Sequence, residues 1–196
     1  MSKPLLITQT LLSSWQWALD GGKMDDFSSV LRREAIPDNK AMMDGRRFEN
    51  VLQAVCEGSA ILPSHEWYKP IRGLSKILSG SQYQVKMSRP LTMEGIEFVC
   101  YGVADFVKAG IIYDTKFSHK YKAGKYLTSP QHPMYFYLCP EAYEFQYLIC
   151  DGMSCYKEAY RPEDTEPIED IIRRFLSWMR RTGRMEEYTK NWISKY

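Results

Sequence analysis

Midway along the chain the hydrophobic period changes. Up to Gly80 the recurring apolar residues step by three and four, as on a helix face; from Tyr83 they belong to β-rich runs. Tyr83–Arg89, Ile96–Val107 and Ile111–Phe117 read as three strands, and Tyr143–Cys150 with Ser154–Tyr160 as a further hairpin around Asp151-Gly152. Strands bracketed by helices on both sides restrict the chain to an α/β or α+β fold, with a central mixed β-sheet flanked by helices.

The helices follow from the same pattern. Leu11–Leu19 is a short one. Asp38 caps a longer one through Met42, Phe48, Val51, Leu52 and Val55, with one face buried and Gly58 at its end. Pro63–Gly80 holds a short helix. Tyr126–Leu138 is an aromatic-rich helix with Pro130 and Pro133 in or before its first turn. Ile168–Arg181 turns Ile171, Ile172, Phe175, Leu176 and Met179 inward, and a last helix includes Tyr188 and Trp192.

The 196 residues favour one domain, with a core over about 40–140 and a helical C-terminal part over about 165–196. No apolar run reaches membrane-spanning length, and Leu5-Leu6-Ile7 is too short for a secretory signal, so a cytoplasmic protein without a membrane partner is expected. The five cysteines, Cys56, Cys100, Cys139, Cys150 and Cys155, lack the spacing of a zinc or iron–sulphur site, and buried reduced thiols are expected. His119 and His132 read as exposed polar decoration, and Trp15, Trp17, Trp67, Trp178 and Trp192 as packing residues. The net charge of +2 makes no global case for nucleic acid. Two basic groups do so locally: four lysines between Lys116 and Lys125, and Arg173, Arg174, Arg180, Arg181 and Arg184. They suit a phosphate backbone if they flank one cleft, and are a solvated face otherwise.

The informative segment is Gly102-Val-Ala-Asp105-Phe-Val-Lys-Ala-Gly110-Ile-Ile-Tyr-Asp114-Thr-Lys116. With Ala109-Gly110 as a two-residue turn, Lys108 pairs with Ile111, Val107 with Ile112, Phe106 with Tyr113 and Asp105 with Asp114. Opposed like charges are destabilising unless a divalent cation offsets them, and hard oxygen ligands suit Mg²⁺ or Mn²⁺. Lys116 shares the face of Asp114, two residues on. The bland alternative is an acid flanking a turn beside an edge-strand Asp–Lys pair; a three-residue turn would also shift the register.

Gly102-Val-Ala-Asp105, then Ile112-Tyr-Asp114-Thr-Lys116, then Gln131-His-Pro-Met-Tyr135 resembles the RecB-like, phage-type exonuclease branch of the PD-(D/E)XK nucleases, over roughly residues 40–140. The resemblance implies a restriction-endonuclease-like core. It implies Asp105 and Asp114 as metal ligands, with Glu49 of Gly45-Arg-Arg-Phe-Glu49 where many members have histidine, and the carbonyl of Thr115. It implies that Lys116 handles the attacking water, and that Gln131 and Tyr135 line the site, contacting DNA or Lys116. Lys120, Lys122, Lys125 and Arg46 are the candidate nucleic-acid contacts. The implied activity is Mg²⁺- or Mn²⁺-dependent hydrolysis of single- or double-stranded DNA, as an exonuclease at DNA ends in recombination or repair, without an iron–sulphur cluster. A recombinase partner or a homo-oligomer is compatible with it. The alternative is a binding module on a nuclease fold that holds nucleic acid or protein without cutting.

Overall fold

The computed structural model describes residues 3–195. In chain order the elements are β1 (Leu5–Thr8), α1 (Gln9–Leu19), α2 (Met24–Leu31), α3 (Lys40–Cys56), α4 (Tyr68–Leu78), β2 (Gln82–Met93), β3 (Ile96–Lys108), β4 (Ile111–Phe117), α5 (Gln131–Leu138), β5 (Glu144–Cys150), β6 (Cys155–Tyr160), α6 (Ile168–Arg181) and α7 (Met185–Asn191). The fold is a mixed α/β arrangement around one mixed sheet. No helix among the described residues is long and apolar enough to cross a membrane.

The sheet runs β1-β3-β4-β5-β6, with β2 on β3. β3 is its axis. β2 pairs antiparallel along one edge of β3, while two short partners share the other edge. β1 runs parallel to Phe98–Tyr101, and β4 antiparallel to Phe106–Lys108. The stretch Gly102–Asp105 lies in the gap between them. The sheet is coated on both faces. One core gathers Leu11, Trp15, Phe27, Met134, Ile172, Phe175 and Tyr188 against Phe98, Ile112, Phe145 and Tyr147. The other packs Phe48 and Leu52 of α3 and Ile71 and Leu74 of α4 against Phe106, Tyr113, Leu148 and Cys150. β5 serves both, which is why Phe145–Cys150 is buried without alternation.

Several elements differ from the sequence pattern. β1 and α2 had no expected counterpart: β1 is too short to show a period, and α2 is one small amphipathic turn pair. Asn39, not Asp38, caps α3, its side chain accepting from the Met42 N–H at 3.0 Å. Asp38 instead pairs with Arg46. The expected buried stripe of α3 holds only for its C-terminal half; Met42 is exposed, while Phe48 and Leu52 are fully buried. α5 begins at Gln131 rather than Tyr126, because Pro130 occupies its N-cap and the residues before it form a loop. Trp17 is exposed and Trp178 only half-buried, whereas Trp15, Trp67 and Trp192 pack as expected. Of the thiols, Cys100, Cys139 and Cys150 are buried, Cys56 half-buried and Cys155 exposed at the hairpin edge opposite Cys150. The C-terminal arginines do not form a free basic face: Arg173, Arg174, Arg180 and Arg184 are each paired with a carboxylate.

Candidate active site

The β3–β4 hairpin has the expected two-residue turn. Ala109 and Gly110 both take positive φ, 50° and 76°, which gives the right-handed twist that antiparallel strands need. Lys108↔Ile111, Val107↔Ile112 and Phe106↔Tyr113 pair as the sequence implies. The fourth rung does not form. The ladder stops at Phe106↔Tyr113, and the Asp105 carboxylate accepts the Thr115 N–H at 3.1 Å, a side chain standing where a strand partner would be. On the other edge the β2 ladder includes Tyr83↔Phe106 and Val85↔Ala104 but steps over Gln84, whose φ is 51°. Both neighbours thus open around Asp105. A left-handed non-glycine residue inside a strand costs about 1–3 kcal/mol and persists only where the surroundings impose it.

The gap between β1 and β4 leaves strand groups of β3 without a neighbouring chain, and α5 closes it. Tyr135 is buried and donates its hydroxyl to the Val103 carbonyl at 2.5 Å. Gly102 makes this approach possible: a Cβ there would lie 3.0 Å from both the Tyr135 ring and Leu138 Cδ1. One turn earlier, Gln131 donates to Asp114 Oδ1. The two α5 residues therefore do different jobs. Gln131 orients the carboxylate, and Tyr135 is a strut behind Asp105; their hydrogen bonds go to Asp114 and Val103 rather than to Lys116.

Asp114 is 5% exposed, and its Oδ2 is buried. Its partner is the Lys116 ammonium, 2.8 Å away in an ion pair. Lys116 keeps a third of its side chain open to solvent. Burial works against its charge, but Asp114 and Asp105 outweigh that and raise its pKa. Burial, then the neighbouring Asp114, push the Asp105 carboxyl up to about 7, with Lys116 opposing and Glu49 adding. Glu49, half-buried on α3, is also raised, chiefly by burial, with Lys116 and Asp114 acting on it in opposite senses. Three carboxylates from three elements thus share one field with Lys116.

This donor set fits a hard divalent cation in kind. Three carboxylates share one ammonium, and Asp105 and Glu49 are disfavoured as anions, so the cluster is short of positive charge. Among the described residues no three His, Cys, Asp or Glu side chains converge tightly enough to cage a metal by themselves. Mg²⁺ ordinarily takes only one or two carboxylates and fills its shell with water and phosphate oxygens.

The loop lysines follow Lys116 in the chain, and Lys125 donates to Ser118 Oγ at 3.2 Å. Lys120, Lys122 and Lys125 are exposed on the loop between β4 and α5. Arg46, three residues before Glu49 on α3, is exposed and held by Asp38. His119 is exposed and touches the Asp151 carbonyl at 3.1 Å. His132 is not surface decoration: it is 2% exposed, stacked on Tyr160, with Nδ1 3.2 Å from the Tyr147 hydroxyl. Glu158 of β6, which the sequence did not single out, gathers the loop. Nothing local marks it, because its partners in the loop are more than thirty residues away.

No family model matches the chain, and no curated protein matches it. Among solved structures, that of SSO0001 is similar in fold, with a TM-score of 0.57 over 91% of this chain and 78% of its own, at 14% identity.

Proposed function

We propose that the chain is a metal-dependent deoxyribonuclease of the PD-(D/E)XK superfamily, RecB-like, acting on DNA ends. The observation that carries this is the crowding of three carboxylates, Asp105, Asp114 and Glu49, around a single ammonium, Lys116, which is 2.8 Å from Asp114 Oδ2. Asp105 and Asp114, adjusted by Glu49 and the Thr115 carbonyl, would hold Mg²⁺ or Mn²⁺. Such an ion, when bound, lowers the pKa of water and neutralises charge building on a phosphoryl oxygen. Lys116 keeps its proton, and its open third lets the ammonium reach a phosphate oxygen or orient the attacking water. Gln131 fixes the rotamer of Asp114, and Tyr135 fixes the strand that carries Asp105. Lys120, Lys122, Lys125 and Arg46 supply contacts to the phosphate backbone.

The test is cleavage of end-labelled linear and closed circular DNA with Mg²⁺, Mn²⁺ or EDTA. Lys116→Ala is expected to lower the metal-dependent rate by at least about 100-fold, the scale of losing one charge-stabilising donor. Loss of linear DNA alone marks an exonuclease, and nicking of circles an endonuclease. A folded wild type that binds DNA but cuts neither form with any of these ions would instead establish a binding module.

A further inference from the structure

The loop from Ser118 to Pro130 joins two residues of the candidate site, Lys116 at the end of β4 and Gln131 at the start of α5, and contains no helix or strand. Segments of this kind are ordinarily mobile, and ordering them costs backbone entropy. The ends of this loop are tied by the Ser118 N–H to the Cys150 carbonyl and by Gln16, which donates to the Thr128 carbonyl, both at 2.8 Å, and one carboxylate gathers its middle. Glu158 accepts from the Tyr121 hydroxyl at 2.7 Å, the Gly124 N–H at 2.9 Å and the Tyr126 N–H at 3.4 Å. The Tyr160 hydroxyl, on its own strand, adds a fourth bond at 2.6 Å. Burial opposes the charge, but these four donors keep the Glu158 carboxyl below its ordinary range. Tyr126 then stacks on Tyr147 at 4.4 Å, and Tyr121 lies against Tyr156. The three exposed lysines are spaced among these anchored residues: Lys120 before Tyr121, Lys122 before Gly124, Lys125 before Tyr126.

From this geometry we infer that Glu158 is a positioning residue for substrate: it staples the loop so that Lys120, Lys122 and Lys125 form a fixed phosphate track leading to Lys116. This rests on the nuclease reading of the site. Glu158 does not touch the reacting atoms, so its effect belongs to capture of the DNA backbone rather than to the chemical step. Phosphate contacts fix register on the substrate, and pre-ordering the side chains that make them removes a cost from binding.

The experiment compares wild type, Glu158→Ala, the triple variant K120A/K122A/K125A, and the two combined. Cleavage of a short labelled duplex is followed at steady state, and binding of the same duplex by anisotropy in EDTA over a salt series. Glu158→Ala is expected to raise KM about tenfold while kcat stays within about twofold, the pattern of weakened substrate capture with intact chemistry. The dependence of log affinity on log salt should flatten by about 0.9 for each phosphate no longer neutralised. The Gly124 and Tyr126 amides should lose hydrogen-exchange protection. Because Glu158 acts through the lysines, adding Glu158→Ala to the triple variant should change little further. An unchanged KM and salt slope in Glu158→Ala, or effects of the two variants that multiply, would overturn the proposal. If Glu158→Ala fails to fold, Glu158→Gln, which keeps an acceptor for part of the donor set, is judged by the same criteria. If wild type cuts no DNA with either metal, the nuclease reading fails, and the salt slope and exchange data still decide the role of Glu158.

Discussion

Gly102 shows what a single residue contributes. The sequence marks it as one end of a Gly-x-x-Asp motif, but the reason for glycine is the Tyr135 ring and Leu138 lying where a Cβ would go. Gly102→Ala is expected to destabilise by about 1–3 kcal/mol, the usual cost of overpacking, and to shift Tyr135 from the Val103 carbonyl. Chemical denaturation and the activity of the same variant test both parts; wild-type stability would show that α5 can recede freely. His132 is the second case. Burial lowers its pKa from 6.5 to about 4. The unfolded chain then takes up a proton that the folded chain refuses, so stability is lost as pH falls from about 6.5 towards 4, by about 3 kcal/mol in all. His132→Phe should lack that acid-side slope, which denaturant midpoints across this pH range would reveal. Neither effect is legible locally. A histidine between Gln131 and Pro133 has no sequence mark of burial, and only the packing of α5 against Phe145, Tyr147 and Tyr160 creates it.

Among elements, the β3–β4 hairpin was the most legible, because a two-residue turn fixes register by counting. Its turn also leaves room for improvement. Ala109 holds a φ of 50°, a conformation that disfavours a Cβ. Ala109→Gly should therefore stabilise the protein, or at worst leave it unchanged, by up to about 1 kcal/mol as relief of strain exceeds the added unfolded-state entropy. A lower melting temperature for this variant would mean that the left-handed strain at Ala109 is negligible. α6 was equally legible: its expected bounds and all five inward residues stand, since a long amphipathic stripe outweighs local noise. α5 was less so. Its aromatic composition continues into the preceding loop, and the end of the helix is set by Pro130 and by tertiary anchoring of Tyr121 and Tyr126 on Glu158.

At the scale of the whole molecule, the sheet brings Glu49, Asp105, Asp114 and Lys116 together from α3, β3 and β4, and the cluster carries more like charge than stability alone would select. Asp105 titrates higher in the fold than in the unfolded chain, so its ionised form opposes folding, and increasingly so as pH rises from the unfolded value towards about 7. In metal-free, mildly alkaline solution Asp105→Asn should therefore be more stable than wild type by about 1–2 kcal/mol, at the expense of activity. Mg²⁺ or Mn²⁺ should raise the melting temperature of wild type and leave that of Asp105→Asn unmoved. A metal-induced shift of equal size in both would place the ion elsewhere. The sequence by itself determined the mixed α/β class, the hairpin turn with its first three rungs, and the candidate residues Asp105, Asp114 and Lys116; Glu49 entered only through the family resemblance. The rest depend on periodicity, turn length and motif spacing, all local properties of the chain. Only the tertiary structure decided that the ladders open around Asp105, that Gln131 and Tyr135 serve Asp114 and Val103, and that Glu158 organises the lysine loop. Each of these pairs a side chain with a group far along the chain, and such pairings exist only once the sheet has assembled and its unpaired polar groups must find partners.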